Sequence, residues 1–121
     1  MPELVVSTFD VTKLSHAARK LMKTAVRRAY AHQDVKKHTV RIDEFCRESG
    51  LRPTTSEQFR RWMREARKSL AVVEVIDTDL PNRDDLPYSS WPVFLEIRSN
   101  ATEVTFEIDS QTFSGFSKKV F

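Results

Sequence analysis

One stretch near the middle of the chain, TSEQFRRWMREARKSL from Thr55 to Leu70, constrains the fold more than any other segment. Its apolar residues recur at the spacing of a helical stripe, and they are Phe59, Trp62, Met63, Ala66 and Leu70. The other side of that helix is rich in arginine and lysine. The pattern therefore predicts a helix that buries one face in the core and presents a basic face to a partner. The alternative is an ordinary surface helix, because runs of charge usually face only water.

Charge is distributed unevenly along the chain, although the net charge is only +3. Residues 13–68 hold 16 Lys or Arg against 6 Asp or Glu, which is a local balance of +10. Residues 69–121 hold 4 basic and 9 acidic residues, a balance of −5, and the first 12 residues contribute −2. A protein polarised in this way attracts polyanions to one surface and repels them from another.

The residues before the basic stretch predict a strand, a long helix, a short strand and a short helix. Residues 2–9 are apolar and β-branched, as in an arm or edge strand, and residues 15–31 carry the wide apolar stripe of a core helix. Residues 39–42 alternate as a short strand does. A second helix follows, which we expect Asp43 to cap and Gly50 to end in the left-handed conformation.

The residues after the basic stretch predict β structure. A strand is expected at residues 71–77, and residues 91–98 and 103–109 predict a hairpin with the turn Ser99-Asn100-Ala101-Thr102. Between them, residues 78–90 predict a loop that contains Asp79, Asp84 and Asp85. Residues 110–121 predict a closing turn whose aromatic residues pack back onto the core, and these are Phe113, Phe116 and Phe121.

Together these elements predict an α+β fold, namely a winged helix in which a helix-turn-helix precedes an antiparallel β-hairpin wing. With 121 residues, of which 40% are hydrophobic, the chain can bury a core without disulfides, so a single domain spanning residues 1–121 is expected. No apolar run approaches the roughly 20 residues needed to cross a bilayer, and the single cysteine fits a reducing compartment. We therefore predict a cytoplasmic protein without membrane contact.

The sequence lacks the motifs that common catalytic and cofactor sites require. His16, His32 and His38 do not have metal-ligand spacing, and Cys46 has no CxxC partner. Two glycines cannot build a phosphate-binding loop, and the GxSxG motif of hydrolases is absent. We therefore predict no catalytic residue, no metal and no cofactor.

Binding to double-stranded DNA is the function that the pattern favours. An α-helix fits the major groove, where arginine and lysine contact guanine or phosphate and glutamine pairs with adenine. Arg61 and Arg64 rank first because they project away from the apolar stripe, whereas Gln58 projects sideways. The full set of predicted DNA-binding residues is Gln58, Arg60, Arg61, Arg64, Arg67 and Lys68.

The alternative is a winged helix that binds protein, using its hairpin and its acidic loop to contact a second subunit or another protein. A sheet edge must be paired, covered or defended, and the acidic residues of the hairpin concentrate on the strand at 103–109. This edge predicts a weak homodimer formed by hairpin-to-hairpin pairing.

The order of elements resembles the first winged-helix domain of plasmid replication initiator (Rep) proteins. The resemblance covers roughly residues 4–121 and rests on spacing and hydrophobic pattern, in the segments LSHAARKLMKTAVRRAY, TVRIDEFCRESG, SEQFRRWMREARKSL, VFLEIRSNATEVTFEID and QTF. It implies a domain that contacts the DNA backbone and dimerises. It also implies that residues 1–121 are the N-terminal part of a longer initiator, whose second winged helix makes most of the sequence-specific contacts. The acidic loop departs from a DNA-binding winged helix, because carboxylates repel phosphates.

Overall fold

The computed structural model describes residues 3–52, 54–76 and 88–113. This part of the chain is an α+β arrangement of three helices and two small antiparallel sheets, each with three strands. The elements in chain order are β1 (Glu3–Asp10), α1 (His16–Ala31), β2 (His38–Arg41), α2 (Ile42–Glu48), α3 (Ser56–Ala66), β3 (Leu70–Ile76), β4 (Tyr88–Pro92), β5 (Phe94–Ser99), β6 (Glu103–Ile108) and a 3-10 turn (Ser110–Phe113).

Helix α1 contributes much of the core, and its predicted position is confirmed. Ser15 precedes it as the N-cap, and the Ser15 hydroxyl accepts a hydrogen bond from the amide of Ala18 at 3.3 Å. The inward stripe is fully excluded from solvent and consists of Ala18, Leu21, Met22, Ala25 and Val26. Burial of each of the larger aliphatic side chains stabilises the fold by about 1.5–3 kcal/mol.

The predicted cap of the second helix is wrong by two residues. Helix α2 begins at Ile42, so Arg41 is the N-cap residue, and its side chain makes no capping hydrogen bond. The Ile42 amide instead donates to the carbonyl of Thr102 in the hairpin turn at 2.9 Å. Asp43 lies in the first turn, where its carboxylate accepts from the Glu44 amide at 2.9 Å and faces the positive end of the helix dipole. The hydrogen bond between Ile42 and the hairpin turn thus sets where α2 begins. The local sequence does not reveal this contact.

The left-handed glycine that was expected to stop α2 is confirmed, two residues after the last helical residue, Glu48. Gly50 has a φ of 74°, and its amide donates to the carbonyl of Arg47 at 3.0 Å. The next amide, of Leu51, donates to the carbonyl of Cys46 at 2.8 Å. This pair of bonds is a Schellman motif, which satisfies carbonyls that the last helical turn leaves without partners.

Helix α3 is shorter than predicted, because it ends at Ala66 rather than Leu70. Thr55 caps its start by accepting a hydrogen bond from the Gln58 amide at 3.1 Å. Beyond its end, the fully buried hydroxyl of Ser69 donates to the Ala66 carbonyl at 2.7 Å. Leu70 is the first residue of β3 and pairs with Asp10 of β1. Because Leu70 joins this strand, the helix cannot continue to it.

The two sheets meet at Val93, a fully buried residue. One sheet has the strand order β1-β3-β4 and the other has β2-β6-β5. The Val93 amide donates to the Ser69 carbonyl at 3.2 Å, and its carbonyl accepts from the Asp109 amide at 3.1 Å. Val93 thus bonds to the residue before β3 and to the residue after β6, and the single strand predicted at residues 91–98 is divided there into β4 and β5. The expected edge position of β1 is confirmed.

The predicted hairpin is present as β5 and β6, and its arrangement corrects the expected edge. Strand β6 lies between β2 and β5, so among the described strands the hairpin's outer strand is β5. The side chains that β6 buries are Val104, Phe106 and Ile108. The order of α1, β2, α2, α3, β5 and β6 is compatible with a winged helix.

The C-terminal 3-10 turn packs on α1, since the rings of Phe113 and Tyr30 lie 5.7 Å apart. The predicted positions of Phe116 and Phe121, and the acidic residues of the predicted loop, lie outside the described residues. None of the helices in the described ranges combines the length and the apolar character needed to span a bilayer.

Candidate nucleic-acid interface

The structure exposes five of the six predicted DNA-binding side chains. Gln58 is half-buried, while its backbone amide is engaged by the Thr55 cap. The exposed side chains lie on α3 and in the turn that follows it, and they are Arg60, Arg61, Arg64, Arg67 and Lys68. The buried side of the same helix holds Phe59, Met63 and Ala66. The amphipathic division predicted from the sequence is therefore present, with Gln58 at its border.

A groove separates α3 from the β5–β6 hairpin, and we refer to it as the helix–hairpin groove. One part has a volume of about 180 Å³ and is lined by Arg60, Met63, Arg64, Arg67, Ile97 and Ser99. A second part, also of about 180 Å³, is lined by Ser56, Arg60, Ser99, Asn100 and Ala101. Both parts share Arg60 and Ser99, so they are continuous along the helix.

The cations of α3 point in two directions. Arg60, Arg64 and Arg67 recur at the spacing of one helical face and line the helix–hairpin groove. Arg61 and Lys68 do not belong to its lining and are exposed on the solvent side of the helix. A helix with cations in two directions can contact phosphates on both sides of a groove in which it lies.

None of the acidic side chains in the described ranges neutralises these cations. Among the side chains that the structure describes, no carboxylate forms an ion pair with any of the five, and the Arg60 Nε donates to a carbonyl of its own helix, that of Ser56, at 3.4 Å. Four ion pairs occur elsewhere among the described residues, and they join Arg28 with Glu48, Arg41 with Asp43, Lys37 with Glu96, and Arg98 with Glu96. No described carboxylate thus competes with an external anion for the cations of α3 and its following turn.

The two acidic residues of α3 have different surroundings. Glu57 is exposed in the first turn, where a carboxylate faces the positive end of the helix dipole. Glu65 is half-buried, and its Oε2 accepts a hydrogen bond from the Ser15 hydroxyl at 2.8 Å. The carboxylate of Glu65 is therefore directed toward α1.

The hairpin side of the groove is neutral and tightly bonded. The Asn100 side-chain oxygen accepts hydrogen bonds from the amides of Thr102, at 2.9 Å, and Glu103, at 2.8 Å. The nearest cation of the hairpin, Arg98, is paired with Glu96. A hydrogen bond from Lys37 holds the pKa of Glu96 below its ordinary value, and the charge of Arg98 acts in the same direction. The unpaired positive charge that lines this groove therefore comes from the helix side.

Other residues that could carry chemistry are separated and partly enclosed. Cys46 is 2% exposed, and burial raises the pKa of its thiol, which disfavours the reactive thiolate. His38 stacks on Phe106 with ring centroids 5.4 Å apart, and burial lowers its pKa. The described ranges include no group of three or more His, Cys, Asp or Glu side chains arranged to hold a metal ion.

Sequence reasoning did not identify the non-basic residues of the groove. Met63 was assigned only to the core, while Ile97, Ser99 and Asn100 were assigned only to the hairpin. Their shared position depends on β5 lying across the helix–hairpin groove from α3. The local pattern of the sequence contains no signal for that arrangement.

Comparisons with protein-family models, with curated proteins and with solved structures give no match. The function is therefore inferred from the geometry and charge of the chain itself.

Proposed function

We propose that the chain is a winged-helix domain that binds double-stranded DNA without catalysis, in a plasmid replication initiator or a related regulator. The observation that carries the proposal is the run of five exposed cations between residues 60 and 68, which no described carboxylate neutralises. These cations lie on α3 and in the turn that follows it, and α3 corresponds to the helix that a winged helix uses for recognition. The order of α1, β2, α2, α3, β5 and β6 supports the fold assignment, with β1, β3 and β4 added as a second sheet.

In this proposal α3 contacts DNA through its arginines. A guanidinium group can donate two parallel hydrogen bonds to a phosphate or to the O6 and N7 atoms of guanine. Each phosphate contact releases counterions, so affinity falls as salt rises. The initiator role is supported by the resemblance in element order, whereas DNA binding is supported also by the charge of α3.

Charge reversal on α3 tests the DNA-binding proposal. We expect Arg61→Glu combined with Arg64→Glu to abolish binding to a fluorescently labelled duplex, because both residues are exposed on the basic side of α3. Each single reversal should lower the slope of log affinity against log salt by about one unit per lost contact. Fluorescence anisotropy across a salt series measures both quantities.

A matched control separates a local contact from a general loss of positive charge. Lys20→Glu combined with Lys23→Glu has the same spacing on a helix and the same change in net charge, but it alters α1, where Lys23 is exposed and Lys20 is half-buried. We expect this control to bind far more tightly than the α3 variant. Equal binding by the α3 variant and the parent protein would exclude α3 as the DNA-binding surface.

A second candidate function, protein binding through the hairpin, is supported by Leu95. This side chain is 56% exposed on β5, which has no second neighbouring strand among those that the structure describes. An unpaired strand edge with an exposed apolar side chain is a site for strand addition by another chain. A second copy of this protein is the partner that we propose for this edge.

A further inference from the structure

Glu65 is the acidic residue embedded among the cations of α3, and the neighbouring helix holds its side chain. Its Oε2 accepts a hydrogen bond from the Ser15 hydroxyl at 2.8 Å. Ser15 is the N-cap of α1, so the same hydroxyl also accepts a hydrogen bond from the Ala18 amide at 3.3 Å. The hydroxyl of Ser15 thus closes the first turn of α1 and donates to an acid of α3.

Two cations lie three or four residues from Glu65, one on α3 and one in the turn that follows it. At this spacing, side chains on a helix are neighbours. Arg61 precedes Glu65 by four residues and Lys68 follows it by three. Both are exposed, and neither forms an ion pair with a carboxylate whose side chain is described. A Glu65 carboxylate released from Ser15 would therefore pair with Arg61 or Lys68 and cancel one positive charge of the basic surface.

We propose that Ser15 is a positioning residue, which keeps the Glu65 carboxylate turned toward α1 and leaves Arg61 and Lys68 free to contact DNA phosphates. This inference rests on the proposed function, since the anionic partner is duplex DNA. In this proposal the affinity for DNA depends on the hydrogen bond between Ser15 and Glu65. Ser15 itself need not touch DNA.

Substitutions at Ser15 test the proposal directly. Ser15→Gly removes the hydroxyl at an N-cap position where glycine is tolerated, and Ser15→Thr retains a hydroxyl as the matched control. In anisotropy titrations we expect Ser15→Gly to lower the salt slope by about one unit and the affinity by up to about eightfold at about 0.1 M salt, the effect of one lost phosphate contact. Ser15→Thr should bind as the parent protein does.

Glu65→Gln decides whether the effect passes through the carboxylate. In the Glu65→Gln background, Ser15→Gly should change neither affinity nor salt slope, so the double-mutant cycle should show coupling between the two positions. Titrations are performed well below the melting temperature of every variant, so that a change in folding does not imitate a change in binding.

The outcomes distinguish this inference from the proposed function. The inference is wrong if Ser15→Gly weakens binding equally with and without the Glu65 carboxylate. It is also wrong if Ser15→Gly has no effect while the Arg61 and Arg64 reversals abolish binding, a result that would leave the proposed function standing. A parent protein that does not bind duplex DNA would overturn both.

Discussion

At the scale of single residues, the two large aromatic side chains of α3 differ in their burial. Phe59 is fully buried and meets Phe45 edge to face, with ring centroids 6.2 Å apart. Trp62 is half-buried and packs against the margin of the core. The sequence alone places both on the same apolar stripe, so it predicts a similar cost of truncation for each.

The structure predicts that Phe59→Ala destabilises the protein by about 3–5 kcal/mol, the usual range for a buried aromatic residue. Trp62→Ala should cost less, because part of its ring already contacts water in the folded state. Urea denaturation of the two variants measures the difference in free energy of unfolding. A larger loss for Trp62→Ala would show that α3 is rotated about its axis relative to this structure, and the assignment of its basic face would then change.

At the scale of elements, the turn between α2 and α3 depends on one backbone conformation. Gly50 has a φ of 74°, and a side-chain carbon at this position would meet no atom within 4 Å. The cost of a substitution there therefore comes from the backbone conformation alone, and crowding does not contribute.

We expect Gly50→Ala to lower the free energy of unfolding by about 1–2 kcal/mol, the cost of the left-handed conformation for a residue with a Cβ atom. Gly50→Asn should cost less, because asparagine adopts this conformation more readily. Thermal or urea denaturation of the pair provides the comparison. Equal stability of Gly50→Ala and the parent protein would contradict the left-handed assignment.

At the scale of the whole molecule, the position of β6 changes the expected route to a dimer. The acidic strand was expected to border the hairpin, but β6 is paired with β2 on one side and β5 on the other. Within the described part of the chain the outer strand of the hairpin is β5, and a register shift between Phe94 and Glu96 leaves Leu95 in a bulge. Bulges limit edge pairing, so pairing of two copies would use the short segment after the bulge.

We therefore predict a weak two-fold dimer through β5, which analytical ultracentrifugation over a wide concentration range can detect. Leu95→Lys should shift the protein to monomer, since it places a charge on the exposed edge. Reversal of Glu103 and Glu107 to lysine is the matched control, because these residues lie on the central strand β6 and should not disturb edge pairing. A strictly monomeric profile up to hundreds of micromolar would exclude this interface, and so would a dimer that Leu95→Lys leaves intact.

The sequence by itself determined the features that depend on local periodicity and turn chemistry. These include the apolar stripe of α1, the basic face of α3, the left-handed Gly50 and the turn at residues 99–102. Each depends on residues within a few positions of one another, so the energy that favours it can be inferred from a short segment.

Only the tertiary structure decided where distant segments meet. Pairing with the hairpin starts α2 at Ile42, β4 and β5 are divided at Val93, and β6 occupies the centre of its sheet. The helix–hairpin groove and the Ser15–Glu65 hydrogen bond likewise join residues far apart in the chain. Many strand pairings and helix contacts satisfy the same local pattern, and the choice among them depends on burial and backbone hydrogen bonding across the whole fold.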